Sequence, residues 1–291
     1  MLCHSRALSD ASINTKAVPF RSEVPYLGFQ WNLCERTVCL LEKKRTKYLA
    51  AIMQWKEKHT HNLLEMQQLY GKLLHASLVI PPGRAYLTSL EAMLGCFHHN
   101  AFLPRTPPRD TPSDLEWWER RLSQPSSPRP IPTPSPLSDY NAYSDASSGV
   151  GITITIGPKW RAWQLFPGWK SQGRDIQWAE AIGFELLIRH LLTISKEGEH
   201  ITVYGDNRGV VEGWWKKSSA NKPTNKVFRR ILEVSESSNR TIYRRYVPSA
   251  ENPADAPSRG RYPPYELLLD DIGILEELAP FLTSIGPHPS R

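Results

Sequence analysis

The sequence contains little cysteine, and this scarcity excludes two common ways of stabilising a small domain. Four cysteines occur among 291 residues: Cys3, Cys34, Cys39 and Cys96. They are too few and too scattered for a disulfide framework. Cys34 and Cys39 form a C-x4-C pair near two histidines, but no second close pair completes a set of zinc ligands. We therefore expect free thiols.

Long apolar runs are also missing. No run reaches the ~18 residues that a membrane-spanning helix requires, and the chain does not open with the basic and apolar segments of a secretory signal. We therefore predict an intracellular protein, in the cytoplasm, the nucleus or both, with no membrane span. A nucleotide-binding phosphate loop is missing too, because Gly71-Lys72 is followed by leucine and lacks the upstream glycine.

Proline and positive charge are plentiful. The net charge is +7, which suits a polyanionic partner, although many soluble proteins are this basic without binding one. A Pro/Ser-rich stretch over 123–137 predicts an extended linker. It divides the chain into a disordered or truncated start (1–23), a mainly helical block (24–122), an α/β block (138–261) and an acidic amphipathic tail (262–291) that either docks on the α/β block or leads to a further domain.

The α/β block alternates strand and helix patterns. A strand around Asp145, two further strands over 151–156 and 160–166, a long helix over 175–195 and a strand over 200–204 follow one another. Two helices, near 210–215 and 224–235, precede a last strand over 241–247. This order predicts a mixed five-strand sheet with flanking helices.

Four carboxylates stand out by their surroundings. Asp145 lies in a strand, where an uncompensated charge is costly and a bound cation is the usual compensation. Glu180 lies on a helix that is apolar nearly all round, Asp206 follows the end of a parallel-type strand, and Asp255 lies in a first helical turn that Asn252 caps. Each has a structural alternative: Asp206 as a helix cap, Asp255 as a complement to a helix dipole, and Glu180 as the ion-pair partner of an arginine.

Taken together, the four carboxylates resemble the catalytic set of RNase H domains in their order along the chain. The short motifs around them agree with this resemblance: Tyr143-Ser144-Asp145, Ala179-Glu180, Tyr204-Gly205-Asp206 and Asn252-Pro253-Ala254-Asp255-Ala256-Pro257-Ser258-Arg259. The last motif is similar to the Asn-x-Ala-Asp-x-Leu-Ser-Arg ending of gypsy-like RNase H domains, with Pro257 where leucine is usual. That proline is expected to shorten the terminal helix.

This resemblance implies an RNase H-like fold over 138–261 and cleavage of the RNA strand of RNA–DNA hybrids. Asp145, Glu180, Asp206 and Asp255 would then hold two Mg²⁺ ions about 4 Å apart, with Mn²⁺ as a substitute. The products would carry a 5′-phosphate and a 3′-hydroxyl. Reading 2′-hydroxyls or the backbone is assigned to polar side chains between the last two strands: Asn207, Ser218, Asn221, Asn225, Lys216 and Lys217. For Trp214 and Trp215 beside these lysines, packing in the core is favoured over stacking on bases.

The mainly helical block carries a second resemblance. The hairpin over 24–41 and the segments over 69–76 and 81–87 resemble the region after the polymerase active site in reverse transcriptases of DIRS-like and gypsy-like elements. This implies a thumb/connection-like domain that cradles a nucleic-acid duplex, with Lys43, Lys44 and Lys47 as contacts; a solvated helix face is the ordinary alternative. No Tyr-x-Asp-Asp-type motif precedes the hairpin, so polymerase activity is expected to be absent and the missing polymerase portion is an expected partner.

Three hypotheses follow. The first is a metal-dependent RNase H-type endonuclease from a retroelement, and the second is a catalytically inactive, nucleic-acid-binding remnant of such an element. The third, an integrase-like transferase, requires a late helical glutamate and is disfavoured by the Asn-Pro-Ala-Asp ending. No histidine occurs between Thr241 and Gly260, so the proton shuttle found in some RNases H is missing and slow product release is expected.

Overall fold

The computed structural model describes residues 21–97, 100–125, 127–131 and 136–286. Almost all of the predicted disordered start, together with residues 126 and 132–135 of the predicted linker, therefore lies outside the described residues. Cys34, Cys39 and Cys96 are free, as predicted, and Cys3 lies outside the described part. Across the described ranges, no helix is both long enough and apolar enough to cross a membrane.

The N-terminal block (residues 21–125) combines a small sheet with four helices. Its strands are β1 (Glu23–Tyr26), β2 (Phe29–Asn32) and β3 (Thr37–Leu40), and its helices are α1 (Glu42–Lys56), α2 (Leu63–Ala76), α3 (Thr88–Gly95) and α4 (Thr111–Ser123). A capping box begins α2, because the Asn62 side chain accepts from the Glu65 N–H while the Glu65 carboxylate accepts from the Asn62 N–H.

Two details of this block differ from the sequence-based expectation. The sequence pattern predicts one helix over 84–97, whereas the structure has a 3₁₀ turn (Pro81–Tyr86) followed by α3; the Tyr86 carbonyl at the end of the turn accepts a hydrogen bond from the Trp118 indole. In addition, part of the predicted linker forms a short strand, β4 (Arg129–Pro130), which pairs antiparallel with β3.

The α/β block (residues 138–261) contains the expected succession of strands and helices. They are β5 (Ser138–Ala146), β6 (Gly151–Ile156), β7 (Lys159–Leu165), α5 (Ile176–Ile194), β8 (His200–Gly205), α6 (Arg208–Lys216), α7 (Lys222–Ser237), β9 (Thr241–Tyr246) and α8 (Asp255–Ser258). The prediction of a mixed α/β sheet is confirmed, since β6 is antiparallel to β5 and β7 whereas β8 is parallel to β5 and β9.

In the described residues the sheet has six strands, the five expected from the α/β block and one more. The sixth strand, β10 (Leu282–Ser284), comes from the tail and pairs antiparallel with β7, giving the order β10-β7-β6-β5-β8-β9. Helix α5 lies close against this sheet at Gly183, where an added Cβ would stand 3.1 Å from Ile152 Cγ2 and 3.5 Å from Ser144 Cβ. The small residue therefore brings α5 down onto β5 and β6.

The described part of the tail (residues 262–286) docks on the α/β block. The Trp160 ring stacks on Tyr262 and its indole N–H donates to the Pro264 carbonyl at 3.0 Å. Arg161 donates to the Leu269 carbonyl and forms an ion pair with Asp271. Of the two alternatives considered for the tail, docking on the α/β block is therefore the one that residues 262–286 follow.

The two tryptophans at the end of α6 occupy different environments. Trp214 is buried, packs edge-on against Phe184 and donates its indole N–H to the Ile242 carbonyl at 3.0 Å. Trp215 is 55% exposed, yet its indole N–H donates to the Arg244 carbonyl at 3.1 Å. Trp214 is thus core, as favoured from the sequence, whereas Trp215 lies over the surface of β9.

Replacing Leu278 with alanine is expected to lower the free energy of unfolding by about 2–4 kcal/mol, because this tail side chain is buried and its loss leaves a cavity. Urea denaturation followed by tryptophan fluorescence measures the change. Glu277→Ala, at the exposed neighbouring position, is the matched control and is expected to leave stability within about 0.5 kcal/mol. Equal effects of the two substitutions would show that the tail does not stabilise the block.

Candidate metal centre

Three acidic side chains converge at one end of the central strands. Strands β5 and β8 run parallel in adjacent positions, and Ser144 is paired with Gly205. Asp145 and Asp206 each follow this pair by one residue, so they lie at the same level along the two strands. Glu180 reaches the same place from α5, which packs over β5. One carboxylate oxygen from each of the three lies within 4.8 Å of the others.

The elements that carry these residues are fixed by ordinary local interactions. Asp175 caps α5 by accepting from the Trp178 N–H at 3.1 Å, and this sets where Glu180 falls on the helix. Asn207 caps α6 by accepting from the Val210 N–H, so β8 ends and α6 begins directly around Asp206. The Asp206 carboxylate itself accepts a hydrogen bond from the Ser249 hydroxyl at 2.5 Å.

The electrostatics of the cluster favour a bound cation. Burial is the main cause that raises the pKa of Asp145 to about 6, and the charges of Asp206 and Asp255 add to it, while the Ser258 hydroxyl acts in the opposite direction. Burial and the nearby Asp145 charge also raise the pKa of Glu180 well above its usual value. Acidic groups crowded in this way repel one another unless protons or metal ions neutralise them.

The donor set fits a hard divalent cation. Within the described ranges, Glu180 Oε2 and Asp206 Oδ1 are buried and have no hydrogen-bond partner, so the lone pairs of both oxygens are free to bind a cation. The three converging ligand atoms are all carboxylate oxygens. Oxygen ligands of this type suit Mg²⁺ or Mn²⁺ better than zinc.

Asp255 lies beside this cluster and is not one of the three converging groups. It begins α8, and its Oδ1 accepts from Arg259 Nε at 3.0 Å and Nη2 at 2.9 Å. Its charge still raises the pKa of Asp145, which shows that the two carboxylates interact. The Asp255 carboxylate is therefore held by an arginine four residues along the chain.

The turn before α8 is anchored differently from the expectation. Asn252 was predicted to cap a helix beginning at Pro253, but α8 begins at Asp255 and contains a single turn. The Asn252 amide instead donates to the Ser144 carbonyl at 3.2 Å, and its oxygen accepts from the Ala254 N–H. Asn252 thus ties the turn carrying Asp255 to the strand carrying Asp145.

Arg244 is the residue of this region that sequence reasoning missed. It is fully buried on β9, where its guanidinium lies 4.2 Å from the centre of the Phe184 ring and donates to Ser144 Oγ at 3.3 Å. Burial lowers the pKa of Arg244 to about 10, whereas the charges of Glu180 and Asp206 act to raise it. Gly205 makes room for it, since a Cβ there would stand 2.2 Å from Arg244 Nη2.

The residues assigned to nucleic-acid contact do not share one environment. Lys43, Lys47 and Lys216 are exposed, whereas Lys44, Lys217 and Ser218 are half-buried. Asn207 and Asn221 use their side-chain oxygens as helix caps.

Asn225 is buried between the two blocks, so the structure places it away from a surface role. Its amide donates to the Ala85 carbonyl at 2.8 Å and its oxygen accepts from the Ser219 N–H at 3.0 Å. Nearby, Arg229 pairs with Asp114 at 2.7 Å. These contacts use the hydrogen-bonding capacity that a nucleic acid would need and show that Asn225 joins α7 to the N-terminal block.

Comparisons with known proteins give no family. No family model matches the sequence, and no curated protein matches it. Among solved structures, the chain is similar to the foamy viral protease–reverse transcriptase dRH in complex with double-stranded DNA, with 14% identity and a TM-score of 0.30 over 77% of this chain and 38% of that one. It is also similar to the foamy viral protease–reverse transcriptase in complex with an RNA/DNA hybrid, with 14% identity and a TM-score of 0.28 over 77% of this chain and 29% of that one. The chain thus spans well under half of either protein, and these scores are too low to assign a fold family or an activity.

Proposed function

We propose that this chain is a metal-dependent endonuclease of the RNase H type, which hydrolyses the RNA strand of RNA–DNA hybrids. The observation that carries the proposal is the convergence of Asp145, Glu180 and Asp206, with ligand oxygens within 4.8 Å of one another. Their order along the chain and the Asn-Pro-Ala-Asp turn beside them support the same family. The proposal includes an RNase H-like domain over 138–261 and a thumb/connection-like domain over 24–122.

In this proposal Asp145, Glu180 and Asp206 bind the metal, and Asp255 completes the set once the scissile strand is in place. Bound Mg²⁺ would supply an attacking water of lowered pKa and stabilise the charge on the departing 3′ oxygen. Arg244 favours the ionised form of Glu180, because its buried positive charge opposes the rise in the pKa of that carboxylate. Ser249 orients Asp206 by donating to one of its oxygens.

The chain must also hold the hybrid in place. Asn207 adjoins Asp206 at the start of α6 and Lys216 is exposed at the end of the same helix. We assign them to the 2′-hydroxyl and the backbone phosphates respectively. Lys43 and Lys47, exposed on α1, are assigned to the duplex farther from the scissile bond, where nonspecific charge contact suffices.

A labelled RNA–DNA hybrid incubated with the purified protein and Mg²⁺ tests this function. We expect endonucleolytic RNA fragments with 5′-phosphate and 3′-hydroxyl ends, no cleavage of the DNA strand, and complete loss of cleavage in EDTA. Single-stranded RNA and double-stranded DNA of the same sequence are the controls. A hybrid that stays intact in both Mg²⁺ and Mn²⁺ would refute the proposal.

One observation favours the second candidate function, a catalytically inactive binding remnant. Asp255 is held by Arg259 and stands outside the converging group, so the fourth carboxylate is not preorganised. A remnant would bind the hybrid with an affinity that falls steeply as salt rises, without any metal-dependent cutting. Filter binding across a range of salt concentrations, run beside the cleavage assay, separates the two functions.

A further inference from the structure

A cavity of about 680 Å³ lies between the two blocks. Pro81 and Pro82 from the N-terminal block and Trp214, Leu232 and Ile242 from the α/β block contribute its apolar walls. Pockets of about 300–1,000 Å³ with apolar walls and a few polar groups typically hold small molecules. None of the four carboxylates described above is among the described residues that line this cavity, so its chemistry is separate from that of the metal centre.

The side chains that line the cavity carry an excess of positive charge. Five of the lining residues are cations. Two of them have acidic partners, since Arg45 pairs with Glu42 and Arg121 pairs with Glu236. The remaining acid, Glu233, accepts a hydrogen bond from the Tyr86 hydroxyl. Three cations lining the cavity have no acidic partner within the described ranges: Arg129, Lys217 and Arg240. An excess of unpaired cations in a sheltered space favours an anionic ligand.

Lys217 is the most distinctive of these groups. It ends α6 in a left-handed conformation with φ of 60°, which turns the chain away from the exposed Lys216. Its Nζ lies 3.6 Å from the centre of the Trp214 ring and forms no hydrogen bond to any residue that the structure describes. Burial, together with the Arg129 charge, lowers the pKa of Lys217 to about 7. An ammonium group has three N–H donors. Apart from the contact with the Trp214 ring, these donors have no acceptor among the described residues.

Arg129 approaches the same space from the other block. Strand β4 holds it, and its Nη1 donates to the Leu78 carbonyl at 2.8 Å, which leaves the rest of the guanidinium without a partner among the described residues. Burial lowers the pKa of Arg129 as well. Two cations that repel each other and are both half-buried are costly to maintain, and a bound anion would compensate them.

We propose that this cavity binds a phosphate monoester that carries a small organic group, with Lys217 and Arg129 on the phosphate and the apolar walls around the organic part. Lysine and arginine together are a common means of binding phosphate, the first as a point charge and the second through directed N–H groups. Such a group is present on a free nucleotide and on the 5′ end of a nucleic acid. The site stands independently of the nuclease proposal, because it uses none of the metal-binding residues.

Calorimetric titration of the full chain in EDTA tests the site with three probes: inorganic phosphate, a nucleoside monophosphate, and a short DNA strand with or without a 5′-phosphate. We expect the nucleoside monophosphate to bind more tightly than inorganic phosphate. Lys217→Met and Arg129→Met are each expected to weaken binding about 10- to 100-fold, the usual effect of losing a charge-assisted hydrogen bond. Lys226→Met, an exposed lysine on α7 that does not line the cavity, is expected to leave binding unchanged.

The outcomes separate the possible sources of the ligand. Binding that requires the 5′-phosphate on the DNA strand, and exceeds that of the monophosphate, identifies the nucleic-acid end as the ligand; the reverse order identifies the free nucleotide. Equal losses from Lys226→Met and Lys217→Met would overturn the site, because they would indicate general surface charge, and so would the absence of binding by all three probes. Because Arg129 lies on β4, the Arg129→Met variant tests the site even if Lys217→Met disturbs α6. Circular dichroism checks that each variant is folded.

Discussion

Replacing Asp145 with asparagine is expected to lower the rate of hybrid cleavage by about three orders of magnitude, because several kcal/mol of metal-supplied transition-state stabilisation are lost. Asp145 carries this effect because it lies centrally, interacting with Asp206, Glu180 and Asp255. Asparagine has nearly the same shape but carries no charge, so the substitution removes a metal ligand and leaves the packing of β5 intact. Single-turnover cleavage of a labelled hybrid in Mg²⁺ measures the rate.

A second measurement on the same protein separates chemistry from folding. At neutral pH the substitution removes a buried, repelled charge, so the free energy of unfolding is expected to stay the same or to rise by on the order of 1 kcal/mol. Asp139→Asn is the matched control, since Asp139 lies on the same strand, is exposed, and accepts a hydrogen bond from the Tyr204 hydroxyl. That variant is expected to cleave at the wild-type rate. Wild-type cleavage by the Asp145 variant would remove Asp145 from the mechanism.

Mn²⁺ is expected to raise the thermal unfolding temperature by about 5 to 10 °C at about pH 8, and by much less at about pH 5. The reason is competition between protons and metal for the same oxygens. At the lower pH Asp145, whose pKa is raised to about 6, and Glu180, whose pKa is raised well above its usual value, hold protons that a metal ion must displace. Thermal unfolding with saturating Mn²⁺ and with EDTA at each pH gives the two shifts.

The same carboxylates set the pH dependence of stability without metal. Between its ordinary pKa of 3.8 and about 6, Asp145 is protonated in the folded chain and ionised in the unfolded chain. The folded state therefore binds more protons, and the contribution of Asp145 to the free energy of unfolding falls as pH rises through this window. The pKa of Glu180 is also raised, so its contribution changes with pH in the same direction. The Asp145→Asn variant is expected to lose most of the Mn²⁺ shift; an equal shift in that variant would place the metal elsewhere.

The sequence alone was sufficient to select the three converging carboxylates as candidates, because each has a strong local context. Asp145 interrupts a strand pattern, Glu180 interrupts an apolar helix, and Asp206 follows the end of a strand. The parallel pairing of β5 and β8 then brings Asp145 and Asp206 side by side. Arg244 lacks such a context. The alternation of β9 places it on the same face as Ile242, which signals an inward position, but only the fold shows that carboxylates from α5 and β8 lie opposite it.

Features that depend on distant partners were the ones missed. The three residues of β10 have no strand pattern of their own and become a strand through pairing with β7, more than a hundred residues earlier. The division of the helix near Leu87 likewise depends on Trp118, and the burial of Asn225 depends on Ala85. In each case a tertiary contact outweighs local propensity, which by itself is a weak guide.

The indole hydrogen bonds of Trp214 and Trp215 have a consequence for how the molecule behaves among its own copies. Strand β9 borders the sheet, and since the N–H groups of Thr241 and Val247 donate to the strand beside it, the carbonyls of Ile242 and Arg244 point outward. Outward carbonyls on a bordering strand ordinarily recruit strands from other chains and promote aggregation. Here both are already occupied by indoles from the same chain. The two adjacent tryptophans therefore leave these two carbonyls unavailable for pairing with a strand of another molecule.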